Sequence, residues 1–418
     1  MNDFIFKDNE LYCESVSVKK IAEEVGTPFY LYSLATIKRH FKAFNESSKV
    51  MNSIVCFSVK ANSNIAVLNV LFKLGWGADI VSGGELYRSI KAGVNTSKVV
   101  YSGVGKTEAE IEFALNSNIL MFNVESLSEL YLINKIAGNM GKKARISFRV
   151  NPDVDPKTHP YISTGMKKNK FGINIKHALD SYDEAEKLNN IEVIGLDCHI
   201  GSQLTEISPF NDAVKIIKDL LLKLNKRGFD IQYLDLGGGL GITYENEMPP
   251  HPSTYMNSIK EILKGYDGKV VFEPGRVIIG NSGAFITKVI YKKSTGHKNF
   301  IIVDGGMNDL IRPALYEAYH EIVPVIKKTG SKFKADIVGP ICESADFLGK
   351  ERTFHSIDEG DYLAVLSAGA YGFSMSSNYN SRPRAAEILV DGDRFFTIRE
   401  REKYEDLIEK ENIPDLEL

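Results

Sequence analysis

Cysteine is scarce and scattered in this chain of 418 residues: Cys13, Cys56, Cys198 and Cys342 form no C-x-x-C pair and no metal-type spacing. No metal site is therefore expected, and a reducing, cytoplasmic setting with free thiols is the simplest account. No apolar run approaches membrane-spanning length, so no membrane span is expected. Charge of either sign is not in excess: 51 Lys and Arg against 54 Asp and Glu give a formal charge of −3. That balance leaves no basic field for nucleic acid or anionic lipid. Residues 1–6 are too short and too acidic a start for a signal peptide. Internal repeats and low-complexity segments are lacking too.

What is present is an ordinary globular composition, 43% hydrophobic and 25% charged. At this length two domains are expected, one of them large. Residues 27–282 alternate short apolar runs with helical patterns. The runs fall at 56–60, 78–82, 99–103, 120–125, 146–150, 195–200, 233–239 and 270–276. They are near-continuous rather than alternating, as parallel strands covered on both faces should be. Helix signals lie between them. Thr107-Glu108-Ala109-Glu110 and Ser126-Leu127-Ser128-Glu129 read as capping boxes. Ser208-Pro209 opens a segment with Phe210, Val214, Ile217, Leu221 and Leu224 on one face, and Gly228 is placed to stop it. From 283 to 418 the pattern changes to strands without long helices, at 284–291, 300–304, 362–366 and 386–398, the last broken by the turn signal Asp391-Gly392. This predicts a second, mostly β domain, with a polar helix or tail from about Lys403.

Eight strands with intervening helices fit a (β/α)8 barrel, and a doubly wound open sheet shares the same local grammar. The barrel is preferred because of where the unusual residues fall. Lys60, Asp79, residues 199–202, the glycines 237–239 and residues 273–276 all come at the C-terminal ends of predicted strands, where barrels build active sites. The stretch 151–174, with three prolines and His159, interrupts the pattern after the fifth strand and predicts an active-site flap.

Each of these residues has a plain reading beside a chemical one. Lys60 closes Ser53-Ile54-Val55-Cys56-Phe57-Ser58-Val59-Lys60. It is either a strand end reaching to water or an amine set to form a Schiff base with a carbonyl cofactor. Residues 233–241 are a strand running into glycines, either a phosphate nest or a tight turn. A dinucleotide fingerprint is not met, because Ile242 stands where its last glycine belongs. Glu273 and Arg276 either neutralise each other or face a ligand. His199 is either a packed ring or one lying against an aromatic cofactor, with Ser202 bonding a phosphate oxygen. Arg312 and Tyr316 are one helical turn apart, a solvated pair or a carboxylate site. Tyr371 among small residues suits a turn or the close approach of a ligand. Cys342 beside Glu343 is no activated nucleophile, since a neighbouring carboxylate disfavours a thiolate. It is inert, or it donates a proton.

Taken in order, residues 57–62, 199–203, 237–239, 273–276, 342–344 and 380–384 resemble the fold-type III pyridoxal-phosphate decarboxylases, and among them those acting on meso-diaminopimelate. The likeness spans nearly the whole chain. It implies a barrel of the alanine-racemase type at residues 27–282 that binds pyridoxal 5'-phosphate. It also implies a C-terminal β-sandwich or β-barrel-like domain, 283–418, to which residues 1–26 add, and a homodimer with active sites shared between chains. Carried over by residue, Lys60 is the Schiff-base lysine with Asp79 as its neighbour, His199 stacks on the pyridine ring and Glu273 bonds its nitrogen. Ser202, Gly239, Gly275 and Arg276 surround the phosphate with Tyr371 of the partner subunit. Arg276, Arg312, Tyr316, Glu343 and Tyr371 line the substrate site, and Cys342 of the partner subunit donates a proton.

The implied reaction is that of a carboxy-lyase: meso-2,6-diaminopimelate loses CO2 at its D-centre to give L-lysine, a step of lysine biosynthesis. The physics agrees, because a glutamate keeps the pyridine nitrogen protonated and the ring a full electron sink. An alanine racemase, the nearest alternative chemistry, is expected to offer an arginine there and a tyrosine as second base. Relatives acting on ornithine-like substrates place an aspartate after the cysteine. Glu343 together with two arginines instead suits a distal ammonium and carboxylate. Ala345 departs from the family's glycine and leaves the local backbone geometry open. Two other readings remain at this stage: a cofactor carrier without turnover, against which Cys342 and Glu343 count, and a phosphate-binding barrel without an aldehyde cofactor.

Overall fold

In the unit formed by residues 39–278, eight parallel strands hydrogen-bond in a closed ring. The computed structural model describes residues 2–155 and 170–416. The strands are β1 Ser53–Ser58, β2 Gly77–Ile80, β3 Val99–Tyr101, β4 Met121–Val124, β5 Ala144–Asn151, β6 Ile191–Asp197, β7 Tyr233–Asp235 and β8 Lys269–Phe272. β8 returns to β1, with Val270 opposite Ser53 and Phe272 opposite Val55. That last pairing leaves no open edge, so the fold is the barrel rather than the open sheet.

The barrel interior follows the two-residue period of a strand. Cys56, Val100, Met121 and Val271 form an apolar layer with Leu120 and Ile194. Two residues further along the same segments stand Ser58, Ser102, Asn123 and Glu273, all buried and all polar. Inward positions are two apart, so the alternation itself turns the interior from apolar floor to polar rim. Buried polar groups are costly unless bonded, and Ser102 and Asn123 are. Ser147 Oγ donates to Asn123 Oδ1 at 2.7 Å, while Asn123 Nδ2 donates to Ser102 Oγ at 3.1 Å and to Asp235 Oδ2 at 3.3 Å.

Among the helices, Glu108–Asn116 starts on a complete capping box made by Thr107 and Glu110. The second expected box is only half made. Ser126 Oγ accepts from the Glu129 N–H, but the Glu129 carboxylate turns instead to the buried Lys106 Nζ at 2.7 Å and to the Glu125 N–H at 3.0 Å. The magnitudes explain the choice. An unpaired buried charge costs about 3–5 kcal/mol, against about 1 kcal/mol for a cap. Helix Ser208–Lys226 buries Phe210, Val214, Ile217, Leu221 and Leu224, as its stripe predicts. The expected flap at 151–174 falls mainly on 156–169, outside the described residues.

Residues 1–38 and 279–418 form the other unit, a mixed sheet built on the long strand Gly283–Ser294. That strand pairs antiparallel with Asn299–Val303, Tyr362–Val365 and Phe29–Ser33. Ala386–Asp391 lies parallel to Phe29–Ser33 and turns back as Arg394–Arg399, at the expected Asp391-Gly392 signal. The N-terminal strands Phe4–Lys7, Glu10–Cys13 and Val16–Ser17 supply Phe4, Leu11, Cys13 and Val16 to a core shared with Phe29, Ile286 and Ile388. The polar C-terminal segment carries one short helix, Tyr404–Ile408. Among the described residues no helix is long and apolar enough to cross a membrane.

Candidate active site

β1 ends at Ser58, and Lys60 sits in the single 3-10 turn Val59–Ala61 rather than in the strand. From that turn its Nζ donates to Asp79 Oδ2 at 2.8 Å. Asp79 is the register partner of Ser58 across β1 and β2. Ser58 Oγ lies 2.8 Å from the same carboxylate oxygen and 2.9 Å from the Glu273 carbonyl, which share its one proton. Asp79 Oδ1 is buried without a partner among the described residues.

Two loops form the rim opposite. Beyond β6, His199 Nδ1 accepts the Gly238 N–H at 3.2 Å, which places its own proton on Nε2. Burial, and then the charges of Arg149 and Lys60, hold the half-buried imidazole well below its ordinary pKa and therefore neutral. Gly237 has φ +63°, and a Cβ there would stand 2.5 Å from His199 Nδ1, so only glycine lets the ring lie against the turn. Gly239, at φ +117°, likewise comes close to the Gly201 carbonyl, 2.7 Å from where its Cβ would be. The two loops are laced by Leu204 N–H to Gly239 O at 2.9 Å and Gly241 N–H to Leu204 O at 2.9 Å. Gln203 bonds both backbone groups of Ile242 at 2.6 and 3.1 Å.

After β8, Glu273 is buried and its Oε1 has no partner among the described residues. Its carboxyl is in hydrogen-bonding contact with Asp235. Burial, then Asp235, Asp79 and Asp197, push Glu273 well above the ordinary carboxyl range, with Lys60 opposing. Gly275 packs against Ser58 and Ala61. Arg276, also buried, donates from Nη2 to Ser202 Oγ at 3.0 Å and from Nη1 to Tyr244 Oη at 2.7 Å. Lys60, Asp79, His199, Ser202, Gly239, Glu273, Gly275 and Arg276 thus all stand at the C-terminal end of the barrel.

The other predicted residues belong to the second unit. Arg312 and Tyr316 bound the short helix Arg312–Tyr316. His320 donates from Nδ1 to the Leu366 carbonyl at 2.8 Å, leaving Nε2 to accept Arg312 Nη1 at 2.7 Å, so the buried guanidinium is oriented by a neutral ring. Cys342 and Glu343 are exposed. The Cys342 N–H donates to Asn380 Oδ1 at 2.8 Å, which ties together two segments 38 residues apart. Asp346 accepts the N–H groups of Met307 and Ile341 at 2.7 and 2.6 Å and shapes the turn that carries the cysteine. Ala345 is not among the residues with positive φ, so an alanine needs no left-handed backbone there. Tyr371 has φ +55°, a conformation uncommon for tyrosine and found where a fold fixes a functional side chain.

Several residues of this rim gave no chemical signal in the sequence. Asp235 and Asn123 sit inside apolar runs and resembled ordinary strand residues. Arg149, fully buried on β5 with Glu125 at 3.0 Å, reads the same way. Tyr244 lies in an irregular loop. Only the glycines just past Asp235 marked its neighbourhood.

Residues 34–280 match the family model described as pyridoxal-dependent decarboxylase, pyridoxal binding domain. The chain is 53% identical over 405 residues to a diaminopimelate decarboxylase of Aquifex aeolicus, covering 97% of this chain and 96% of that protein. To one of Haemophilus influenzae it is 55% identical over 410 residues, covering 97% and 98%. The crystal structure of diaminopimelate decarboxylase from Helicobacter pylori complexed with L-lysine matches with a TM-score of 0.91 at 44% identity, covering 94% of this chain and 98% of that one. With a family model matched over residues 34–280 and half of its residues shared over nearly full length, this chain belongs to the pyridoxal-dependent decarboxylases, in their diaminopimelate decarboxylase branch.

Proposed function

We propose that the chain removes the carboxylate at the D-centre of meso-2,6-diaminopimelate, yielding L-lysine and CO2, with pyridoxal 5'-phosphate as cofactor. The observation that carries this reading is Glu273, a buried carboxyl with one oxygen that lacks a donor among the described residues, on the same rim as the Lys60 amine and a neutral His199 ring. The residues present fit the cofactor. Arg276, Ser202 and the close-packed turn at Gly239 offer cationic and hydroxyl donors for a phosphate, with Gly275 packed beside them. Tyr371 of the partner subunit joins them.

When bound, the cofactor supplies an aldehyde carbon for amine attachment and a ring that takes up the electron pair left as CO2 departs. The chain does the rest. Lys60 is the anchoring amine, and Asp79 holds it in place. His199 offers a flat uncharged face, which stacks without competing for the ring's charge. Glu273 presents its open oxygen to a ring nitrogen. Arg276, Arg312, Tyr316 and Tyr371 bind and orient the substrate's carboxylates, and Glu343 faces its distal ammonium. Cys342 of the partner subunit gives up the proton that replaces CO2. The L-lysine bound in the Helicobacter pylori relative is the amino acid this reaction yields.

We infer further that the chain works in the cytoplasm as a homodimer whose active sites are each completed by Cys342, Glu343 and Tyr371 of the partner subunit. The exposure of Cys342 and Glu343 in the single chain, the half-buried Tyr371 and the family resemblance support that reading. Purified protein with added cofactor is expected to release CO2 and L-lysine from meso-diaminopimelate. Release from ornithine or arginine instead would overturn the substrate assignment. Cofactor absorbance without turnover of any amino acid would make the chain a carrier.

A further inference from the structure

Glu273 does not stand alone in the barrel mouth, and the residue that positions it was assigned no role above. Asp235 ends β7, and both of its oxygens are already acceptors. Oδ1 takes the Gly237 N–H at 2.9 Å and Oδ2 takes Asn123 Nδ2 at 3.3 Å. Asn123 cannot turn away, because its own oxygen accepts Ser147 Oγ at 2.7 Å. Asp235 is therefore fixed as an acceptor, the arrangement that favours its ionised form. A hydrogen bond between two carboxyls requires a proton, and the fixed acceptor leaves that proton on Glu273. The backbone locks the partner as well: Glu273 N–H donates to Gly237 O at 2.8 Å and Glu273 O accepts Ser58 Oγ at 2.9 Å.

We propose that Asp235 is a positioning residue for the decarboxylase: its carboxylate, held by Gly237 and Asn123, accepts the Glu273 proton in a carboxyl–carboxylate hydrogen bond that fixes the Glu273 side chain, and the single negative charge of the pair leaves the other Glu273 oxygen as acceptor for a heterocyclic nitrogen that carries its own proton. The inference rests on the assignment of Glu273 to the cofactor ring. Burial and the surrounding carboxylates shift Glu273 in the direction the geometry requires. Other charged and titratable groups face the pair: Asp79 from β2, Lys60 from the turn after β1, Cys56 below, Asp197 on β6, and Arg149 on β5 beside Asp197. Among these charges Asp235 raises Glu273 most, ahead of Asp79 and Asp197, while Lys60 lowers it, and Asp235 is in hydrogen-bonding contact with it.

The test uses the cofactor-free protein first. Infrared difference spectra over a pH titration follow the carbonyl stretch of protonated carboxyls, and Glu273→Gln identifies the band that belongs to Glu273. In Asp235→Asn the neighbouring charge is gone and an amide donor faces Glu273, so that band should disappear at a pH lower by about one unit or more. In the loaded enzyme the same variant should lose kcat about tenfold or more with little change in KM, and its pH profile should move with the band. Circular dichroism reports whether Asp235→Asn folds. If it does not, Asn123→Ala removes one donor from Asp235 and should shift the same band. A Glu273 band that titrates unchanged in both variants overturns the proposal. Failure of the wild type to bind pyridoxal phosphate would instead sink the functional assignment, since the titration needs no cofactor.

Discussion

Lys60 Nζ and Asp79 Oδ2 stand 2.8 Å apart, in an ion pair whose acid side chain is wholly buried and whose base keeps 33% of its exposure. The asymmetry means that deleting the lysine strands a carboxylate that Ser58 alone then serves. Lys60→Ala should therefore have two separable effects. CO2 release from diaminopimelate should vanish with the covalent anchor. The cofactor-free variant should also lose about 1–3 kcal/mol at pH 7, less than the about 3–5 kcal/mol of breaking a fully buried pair because the amine is partly solvated. Urea melts at pH 7 measure the second effect. A variant as stable as the wild type would show that Asp79 does not depend on Lys60.

Tyr244 should matter to the cofactor without touching the chemistry. Arg276 Nη1 donates to its hydroxyl at 2.7 Å while Nη2 holds Ser202. Tyr244→Phe keeps the ring and removes that acceptor, at about 1.5–3 kcal/mol for a hydrogen bond to a charged group. Equilibrium titration should show pyridoxal phosphate binding weaker by about tenfold to a hundredfold, with kcat at saturation little changed. Unaltered affinity would mean that Ser202 alone suffices to orient the guanidinium.

Removal of the Cys342 thiol should separate cofactor binding from turnover. Cys342→Ala is expected to cut kcat by about a hundredfold or more, the scale of a lost general acid, and to leave cofactor affinity nearly intact. Asn380→Ala removes the acceptor of the Cys342 N–H at 2.8 Å and should give a smaller loss, by misplacing rather than deleting the thiol. An unchanged rate in Cys342→Ala would take the thiol out of the mechanism.

The barrel was legible because a buried parallel strand writes itself as an apolar run and the catalytic rim as the polar residue that ends it. Lys60, Glu273 and the glycines at 237–239 were found that way. Asp235 and Asn123 were hidden by the same rule. Their neighbours in sequence face the helices and are apolar, so a run containing one inward polar residue still reads as core. Lys60 itself was placed one turn too far into the strand, since Val59 is buried and β-favouring although it lies in the 3-10 turn. The half-made cap at Ser126 shows a different limit. Nothing local to Glu129 announces that Lys106, 23 residues earlier, will claim its carboxylate.

Glu273→Gln should stabilise the cofactor-free protein at alkaline pH while abolishing turnover. The folded chain raises this carboxyl well above its ordinary value of 4.5, chiefly through burial and Asp235. Between those two values the folded state keeps a proton that the unfolded state has lost. Stability linked to this group therefore falls as pH rises from about 4.5, and levels off only above the folded-state pKa. Below 4.5 both states are protonated and no penalty exists. Glutamine cannot ionise, so the variant should escape the loss by about 1.4 kcal/mol for each unit by which the folded pKa is raised. Thermal melts of both proteins at several pH values between 4 and 9 should coincide at the acidic end and diverge steadily towards the alkaline one, the variant melting higher. The same substitution leaves a neutral amide facing the ring nitrogen, which cannot keep it protonated, so CO2 release should fall even where the fold is firmer. Melting curves offset equally at every pH would show that the folded chain does not hold the proton on Glu273.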